Sequence, residues 1–252
     1  MSLDLAGTTP KVVVGTTPFD NMEIGTMLTW VRPTTATANQ IMIDKRDPPT
    51  EGYRLFIMWD DGRFGFQLDR NPSDLFAFSS ASTYTANVWQ YLVSTFDMAG
   101  ANGDQKCFRG LLDTVVSEVS GYDSQLVGSG AAFTNTGLNQ TLGNRDAADL
   151  PVQGLMAWAA IYDRQLSLAE IRQQQYNIWT PIDPDNCLGF WNLGFNGTGT
   201  QPDWSGNRNN GTVSGGAAED NHVPLGYFPL SQNLETQLSF SGFFPPFRPV
   251  FS

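Results

Sequence analysis

The hydrophobic pattern of this chain changes period within residues 154–173, and the change predicts a strand followed by a helix. Apolar residues occupy nearly every position of 155–162, too short a run to span a membrane but typical of a strand buried on both sides. Strict alternation would place Met156, Trp158 and Ala160 on one face of this strand and Leu155, Ala157, Ala159 and Ile161 on the other.

A helix start signal follows the turn at residues 163–166. Ser167 precedes Glu170 by three positions, which is the spacing of a capping box. A short helix is marginal in isolation, so we expect this one to pack on a sheet. Its single apolar stripe would consist of Leu168, Ile171, Gln175 and Ile178.

Short alternating segments separated by Gly, Asn and Asp turns recur along the rest of the chain. In the clearest hairpin, residues 53–68, the turn Asp60-Asp61-Gly62 supplies the positive φ angles that a tight turn needs. The pattern predicts an all-β antiparallel sandwich of the jelly-roll type and excludes a parallel α/β sheet. Strands are predicted at residues 12–14, 27–31, 40–44, 53–59, 63–68, 75–79, 89–96, 106–112, 115–119, 138–142, 155–162, 188–193 and 212–213, with a long loop at 121–137.

The chain divides into three predicted parts: an N-terminal arm over residues 1–11, one sandwich over 12–226, and a C-terminal tail over 227–252. The tail is rich in proline, which excludes a regular helix or a central strand. It is also rich in aromatic residues, unlike a disordered segment. We therefore expect it to pack on its own sandwich or on another subunit. The predicted assembly contact consists of Phe240, Phe243, Phe244, Phe247 and Phe251.

Composition narrows the possible partners. The formal net charge of −11 argues against nucleic acid and against anionic membrane surfaces. The longest apolar runs are too short for a membrane span, and the first residues lack the pattern of a signal peptide. Cys107 and Cys187 are expected to be buried free thiols, although pairing in an oxidising compartment stays open.

Four segments, in order, carry a resemblance to a known family. They are LTWVRP at residues 28–33, WQYLVSTFD at 89–97, LGN at 142–144, and the strand, turn and capped helix from Gly154 to Ile171. Together they resemble laminin-G-like modules of the concanavalin-A-like lectin/glucanase superfamily, over about residues 12–178. The resemblance implies the sandwich fold and says little about function.

One motif departs from the order of that family. Residues 189–211 resemble the W-x-L and D-x-S-G-N-x-x-x-G opening of many such modules, yet they follow the helix. We therefore expect residues 188–214 to complete the sheet from its C-terminal side. About forty residues would not easily hold a hydrophobic core as a second domain.

The superfamily includes glucanases, so catalytic residues need consideration. Glucanases that resemble this chain in fold carry a Glu-x-Asp-x-(x)-Glu strand, which places two carboxylates on one face for the acid and nucleophile roles. None of the glutamates here has an aspartate two positions later. The only histidine, His222, follows a Gly/Ala/Asp stretch without a nucleophile-elbow pattern. We expect no catalytic residues and no enzymatic activity.

Two kinds of binding site remain as candidates. Family members often bind Ca²⁺ at the sandwich rim, and oxygen-rich loops suit that cation. Calcium ligands would be Asp203 with Asn207, or Asn144 with Asp146, although such residues also form ordinary turns. A carbohydrate site would use an aromatic face beside a polar acceptor. The candidates for it are Trp59, Asp60 and Tyr122, each of which could instead be a core or turn residue.

The acidic net charge, the lack of a signal-peptide pattern and the aromatic, proline-rich tail favour a non-enzymatic virion surface component. It would be either a capsid-decorating or a host-attachment protein. Modules resembling this one occur in phage and viral particle proteins and in secreted lectins. Such a protein would be made in the host cytoplasm, and its partners would be capsid subunits, copies of itself or a cell-surface glycan. The alternatives are an extracellular lectin or carbohydrate-binding module and, more distantly, a divergent polysaccharide-degrading enzyme.

Overall fold

The computed structural model describes residues 2–16, 19–47, 51–196 and 198–220. The predicted tail, with its five phenylalanines Phe240, Phe243, Phe244, Phe247 and Phe251, lies outside the described residues, as does His222.

The described residues form strands joined by tight turns, with one α-helix. The strands are β1 (Ser2–Asp4), β2 (Lys11–Gly15), β3 (Ile24–Pro33), β4 (Gln40–Asp47), β5 (Glu51–Met58), β6 (Phe64–Leu68), β7 (Arg70–Ser73), β8 (Leu75–Ser79), β9 (Gln90–Asp97), β10 (Lys106–Leu111), β11 (Ser117–Glu118), β12 (Tyr122–Leu126), β13 (Ser129–Ala132), β14 (Gln140–Leu142), β15 (Gly154–Tyr162), β16 (Cys187–Asn192), β17 (Thr200–Gln201), β18 (Gly211–Ser214) and β19 (Ala218–Asp220); helix α1 is Leu168–Tyr176, and a 3₁₀ turn is Pro184–Asn186.

The strands build two large antiparallel sheets. The eight-stranded sheet has the order β11-β10-β9-β3-β15-β1-β19, with β16 also paired to β15. The nine-stranded sheet has the order β12-β8-β6-β5-β4-β14-β2-β18-β17, and β13 pairs separately with β7. The predicted all-β sandwich with one helix after the β15 strand is therefore confirmed.

The main core fills the space between the two sheets. Strand β8 shows how the alternation works, because Leu75 and Ala77 belong to the core while Phe76 and Phe78 stay partly exposed on the outer face. Across the core, the ring of Phe66 stacks on Phe96 at 3.9 Å. The sheets are thus held together by apolar side chains that alternate inward along each strand.

A second core lies on the other face of the eight-stranded sheet, under α1. Four aromatic rings from β3, β9, β15 and β16 contact one another on this face. The ring centroids lie 5.6 Å apart for Trp30 and Tyr91, 5.8 Å for Tyr91 and Trp158, and 5.2 Å for Trp158 and Phe190. These rings belong to Trp30, Tyr91, Trp158 and Phe190, all of them 0% exposed. Burying side chains of this size contributes about 1.5–3 kcal/mol each, so the cover that the helix provides over this face stabilises the fold.

Strand β15 is buried at all nine positions, as predicted, but its faces differ from strict alternation. The register shifts between Met156 and Trp158, so Ala157 and Trp158 both lie on the helix side. A bulge adds one residue and reverses the alternation beyond it. The prediction that Met156 and Trp158 share a face is therefore wrong, and Met156, Ala159 and Ile161 face the main core.

Helix α1 begins with the predicted capping box, in which the Ser167 side chain accepts from the Glu170 N–H and Glu170 accepts from the Ser167 N–H. Its buried Gln175 fixes the helix to the β10–β11 hairpin. The Gln175 Oε1 accepts from the Val116 N–H at 2.7 Å, and its Nε2 donates to the carbonyls of Leu111 and Thr114, each at 2.9 Å. The helix thereby sets the position of the segment that follows Leu111.

Two segments predicted as irregular are strands. Ser2–Asp4 pairs with β15 and β19, and Leu3 and Leu5 are 0% exposed, so the N-terminal residues form part of the sandwich rather than an arm. The predicted loop at 121–137 contains β12, which extends the nine-stranded sheet, and β13. Neither segment carries a strong alternating signal, because β1 has only three residues and the side chains of β12 and β13 stay partly or fully exposed.

The segment from 188 to 214 contributes to both sheets. Strand β16 pairs with the C-terminal half of β15, and β18 pairs with β2. The two cysteines lie on opposite faces of the eight-stranded sheet, Cys107 in the main core and Cys187 under the helix. Both are buried free thiols, as expected, and burial raises the pKa of each to about 12. Among the described residues, no helix has the length and hydropathy needed to cross a membrane.

We predict that the capping box makes stability depend on pH. The hydrogen bond from Arg164 lowers the pKa of Glu170 from 4.5 to about 2. Because the folded-state pKa lies below the ordinary value, the ionised Glu170 stabilises the fold above pH 4.5, and this contribution is lost as the pH falls towards 2. Urea unfolding should show Glu170→Gln to be less stable than the unmodified protein at neutral pH, with the difference shrinking below pH 4.5. A difference that stays constant over this range would contradict the assignment.

Candidate functional site

Two adjoining clefts lie where turns and loops of the two sheets meet. The first has a volume of about 340 Å³ and the second about 450 Å³, and Ser82 lines both. Hydroxyl and carboxylate groups dominate the lining. The first cleft is lined by Ala36, Asp60, Asp61, Gly62, Ser82, Tyr84, Thr85 and Ala86, and the second by Ser80, Ala81, Ser82, Thr83, Arg109, Gly110, Leu111, Thr114, Ser117, Glu118, Val119 and Ser120.

The β5–β6 turn and the loop at 80–86 form the first cleft and are joined by hydrogen bonds. The N–H of Ser82 donates to Asp61 at 2.8 Å, and the N–H of Tyr84 donates to Gly62 at 2.9 Å. The Tyr84 hydroxyl donates to the Trp59 carbonyl at 2.6 Å. Gly62, at φ 82°, also brings its backbone against Ser82, where a Cβ would lie 2.8 Å from the Ser82 Cα. The walls are therefore held in place before any ligand binds.

Gln90 connects this loop to the second cleft. Its amide nitrogen donates to the Thr85 carbonyl at 2.7 Å, and its Oε1 accepts from the Thr85 N–H at 3.2 Å. The same Oε1 accepts from the Arg109 Nε at 2.7 Å. Gln90 is 0% exposed, so this buried amide fixes the loop on one side and the guanidinium on the other.

The far wall of the second cleft is strand β11. Its Glu118 pairs with Lys106 at 2.9 Å and accepts from the Tyr122 hydroxyl at 3.2 Å. The exposed side chains of Ser117 and Ser120 make no hydrogen bond within the part of the chain that the structure describes. Those hydroxyls are therefore available to a ligand, whereas both Glu118 oxygens already have partners.

The carboxylates of the first cleft differ in their environment. Asp61 pairs with the Nε of Arg63 at 2.7 Å. Burial acts to raise the pKa of Asp61, but the hydrogen bonds and charge of Arg63 outweigh it and hold that pKa below its ordinary value. Asp60 is exposed, and within the described ranges its side chain makes no hydrogen bond or ion pair. Asp60 is thus a free acceptor, and Asp61 helps to hold the turn.

The structure does not bring the three predicted carbohydrate-binding residues together. Asp60 lines the first cleft. Trp59 is half-buried on the outer face of the nine-stranded sheet, 4.3 Å from the ring of Phe78 and with the Arg63 guanidinium 5.9 Å from its centroid. Tyr122 lies on β12, where its hydroxyl accepts from the Cys107 N–H at 2.9 Å. Of the three, Asp60 is the one with free polar atoms in a cleft.

Several cleft residues were missed by the sequence reasoning. The run SSASTYT at residues 79–85 carries a hydroxyl at six of seven positions, and five of those six residues, including Ser82 and Tyr84, line the clefts. So many hydroxyl groups within seven residues could have indicated a polar binding surface. Arg109 had no such signal, because it occupies an ordinary alternating position of a strand.

Asp203 and Asn207, the first predicted calcium pair, are used by their own turn. Both carboxylate oxygens of Asp203 accept backbone N–H groups, from Phe190 and Ser205 on one oxygen and from Asn209 on the other. The Asn207 amide donates to the carbonyl of Cys187 at 2.8 Å. This arrangement joins the 203–210 turn to β16 and does not fit a cation between the two side chains.

The second predicted calcium pair is similarly occupied. Asp146 pairs with the Lys11 ammonium at 2.8 Å and accepts from Asn139 at 2.9 Å. The Asn144 Oδ1 accepts the backbone N–H groups of Arg145 and Leu150. A lysine already provides the positive charge beside Asp146, so this donor set does not fit Ca²⁺. Across the described residues, no group of three or more His, Cys, Asp or Glu side chains could hold a metal ion.

Comparison with known proteins identifies the family. Residues 6–172, more than half of the chain, match the family described as the concanavalin A-like lectin/glucanases superfamily. The chain belongs to this superfamily. The match confirms the resemblance drawn from the four sequence segments. No curated protein matches the chain.

Solved structures with the superfamily fold are distant in sequence. A candidate carbohydrate-binding protein from Bacteroides ovatus ATCC 8483 is 13% identical with a TM-score of 0.53, and the match covers 89% of this chain and 62% of that one. The enzymatically active domain of tailspike protein 2 from bacteriophage CBA120 is 11% identical with a TM-score of 0.50, over 76% of this chain and 29% of that one. The CBM40 of the Ruminococcus gnavus IT-sialidase, bound to α2,3-sialyllactose, is 14% identical with a TM-score of 0.44, over 67% and 98%. At these identities the first two matches show the fold alone, and this chain spans less than two thirds of either of those two proteins.

The donor geometry predicts that calcium does not stabilise this superfamily member. A ligand that binds only the folded state at a hundred times its Kd adds about 2.7 kcal/mol, which would raise the Tm of a protein of this size by several °C. We expect the same Tm in excess CaCl₂ and in EDTA, measured by circular dichroism. A calcium-dependent rise that Asp203→Asn or Asp146→Asn removes would reinstate the corresponding site.

Proposed function

We propose that this protein is a glycan-binding module without catalytic activity of its own. The observation that carries the proposal is the pair of adjoining clefts, which share Ser82 and have polar linings held by buried hydrogen bonds. Membership of a lectin-like superfamily is consistent with it. Sites of this kind bind small molecules through a few fixed polar groups in a concave surface.

The free polar atoms of the clefts suit sugar hydroxyls. Asp60 offers carboxylate oxygens that can each accept from a hydroxyl, and hydrogen bonds to a charged group are the stronger ones. Ser82, Thr85 and Ser117 are exposed there, and a hydroxyl side chain can both donate and accept. The walls are already fixed, so binding would cost little additional ordering of the protein.

The carboxylates of the clefts support binding rather than glycoside hydrolysis. A catalytic acid needs a raised pKa and a second carboxylate across the scissile bond. Asp61 has its pKa held below the ordinary value, and Glu118 is paired with Lys106. The absence of enzymatic activity is part of the proposal and can be checked by a reducing-sugar assay.

The central test uses Asp60→Ala on a glycan array, followed by calorimetry with the best oligosaccharide. Loss of a charged hydrogen-bond acceptor costs about 1.5–3 kcal/mol, so we expect affinity to fall about tenfold or more. Asp185→Ala is the matched control, because Asp185 is exposed and lies outside both clefts.

Trp204→Ala gives a second comparison. Trp204 is 42% exposed and packs edge-on against Phe195, at 5.2 Å, away from the cleft lining. If glycan binding survives Asp60→Ala and is lost with Trp204→Ala, the binding site is the Phe195–Trp204 pair, and its assignment to the clefts is wrong. Failure to bind any glycan would overturn the function itself.

We further propose that the module works on the surface of a virus or phage particle, with an extracellular lectin as the alternative setting. The observation that favours a particle is the aromatic and proline-rich composition of residues 227–252, which suits a segment that packs on another subunit. Deletion of residues 227–252 should then abolish self-association or capsid binding in sedimentation, while the remaining sandwich stays folded. An unchanged sedimentation profile would leave the lectin setting favoured.

A further inference from the structure

The second cleft contains a guanidinium without an acidic partner. Arg109 is half-buried, and its side chain contacts neutral groups, the Gln90 Oε1 at 2.7 Å and the Thr85 hydroxyl at 3.5 Å. Within the described residues no carboxylate lies within ion-pair distance of Arg109, and its Nη1 makes no hydrogen bond. By contrast, Arg63 and Arg164 each contact two carboxylates.

The remaining lining leaves this charge uncompensated. The serines and threonines of the cleft are neutral, and Glu118 is its one acidic residue. Glu118 already pairs with Lys106 and accepts from the Tyr122 hydroxyl, so its two oxygens are both engaged. The formal charges of Arg109 and Glu118 cancel in the described lining, but Lys106, outside the lining, already pairs with Glu118, so Arg109 is the charge left without a counter-charge.

The guanidinium is also held in a fixed orientation. Its Nε donates to the Gln90 Oε1. The Gln90 amide is itself held by Thr85, because its Oε1 accepts from the Thr85 N–H and its Nε2 donates to the Thr85 carbonyl. With Nε occupied and Nη2 only weakly engaged, the Nη groups remain for a ligand. A guanidinium fork of this kind binds a planar carboxylate through two parallel hydrogen bonds. Burial lowers the pKa of Arg109. An arginine guanidinium stays protonated in proteins at physiological pH, so the charge is present.

We infer that the second cleft binds an acidic saccharide, with the carboxylate of the sugar on Arg109 and its hydroxyl groups on Ser82, Ser117 and Ser120. This inference rests on the proposed glycan-binding function and names the class of glycan. An acidic group suits this site because its negative charge pairs with the half-buried guanidinium, whereas a neutral sugar would displace water from that charge without pairing it. A sulfate ester offers related oxygen chemistry and is distinguished by the test.

The test is a ¹H–¹⁵N chemical-shift titration of the full chain with D-glucuronate, its methyl ester and glucose 6-sulfate. We expect glucuronate to shift the amide signals of Ser82, Arg109 and Ser117 at concentrations at least about tenfold below those needed for the uncharged ester. Stronger shifts with the sulfated sugar would assign the site to sulfate rather than carboxylate. Equal shifts with acid and ester would overturn the inference.

Variants separate ligand recognition from loop support. Arg109→Gln should abolish the preference for acid over ester, and Arg109→Lys, which keeps the charge but not the fork, should retain part of it. Arg208→Gln is the control, because Arg208 is exposed and has no ion pair among the described residues. A purely structural role of Arg109 would weaken both probes equally and overturn the inference. A further outcome separates this inference from the proposed function. If the unmodified protein shows no preference for the acid and Arg109→Gln still binds a neutral glycan, the proposed function stands and only the acidic specificity is overturned.

Discussion

The burial of β15 on both faces is the constraint on which the rest of this structure depends. Its backbone pairs with β3 on one side and with β1 and β16 on the other, so three strands take their register from it. One face of β15 closes the core between the sheets, and the other receives the helix. A charged side chain on this buried strand would lose its hydration, and the one hydroxyl there, that of Tyr162, donates to the Gln174 Oε1 at 2.6 Å, which explains why the strand is otherwise apolar.

The same packing reaches the candidate site through α1. The capping box starts the helix beside the turn after β15, and Gln175 near its end binds the backbone on both sides of the β10–β11 turn. Strand β11 carries Ser117 and Glu118, which form one wall of the second cleft. A buried amide that satisfies three backbone groups costs more to remove than an ordinary surface contact. The helix is therefore a support for the cleft as well as a cover for the sheet.

The clefts show how a functional surface arises from loops on a rigid scaffold. Gln90 and Tyr84 are buried, and each joins the loop at 80–86 to another element. Gln90 connects that loop to Arg109, and Tyr84 connects it to the β5–β6 turn. Burial raises the pKa of Tyr84 to about 12, so its hydroxyl stays protonated and donates to the Trp59 carbonyl. The exposed groups at the surface then have fixed positions, which favours selective recognition over adaptable contact.

The sequence by itself determined the sandwich class, the β15 strand, the capped helix and the superfamily, because period, turn residues and the Ser167–Glu170 spacing are local signals. Only the tertiary structure decided the rest. The bulge that turns Trp158 toward the helix, and the strand Ser2–Asp4 between β15 and β19, depend on partners far along the chain. The two clefts likewise take Asp60, Ser82, Arg109 and Ser117 from four separate segments. A local pattern fixes which residues can form a strand, whereas long-range pairing fixes which of their side chains meet, and no spacing in the sequence encodes that second choice.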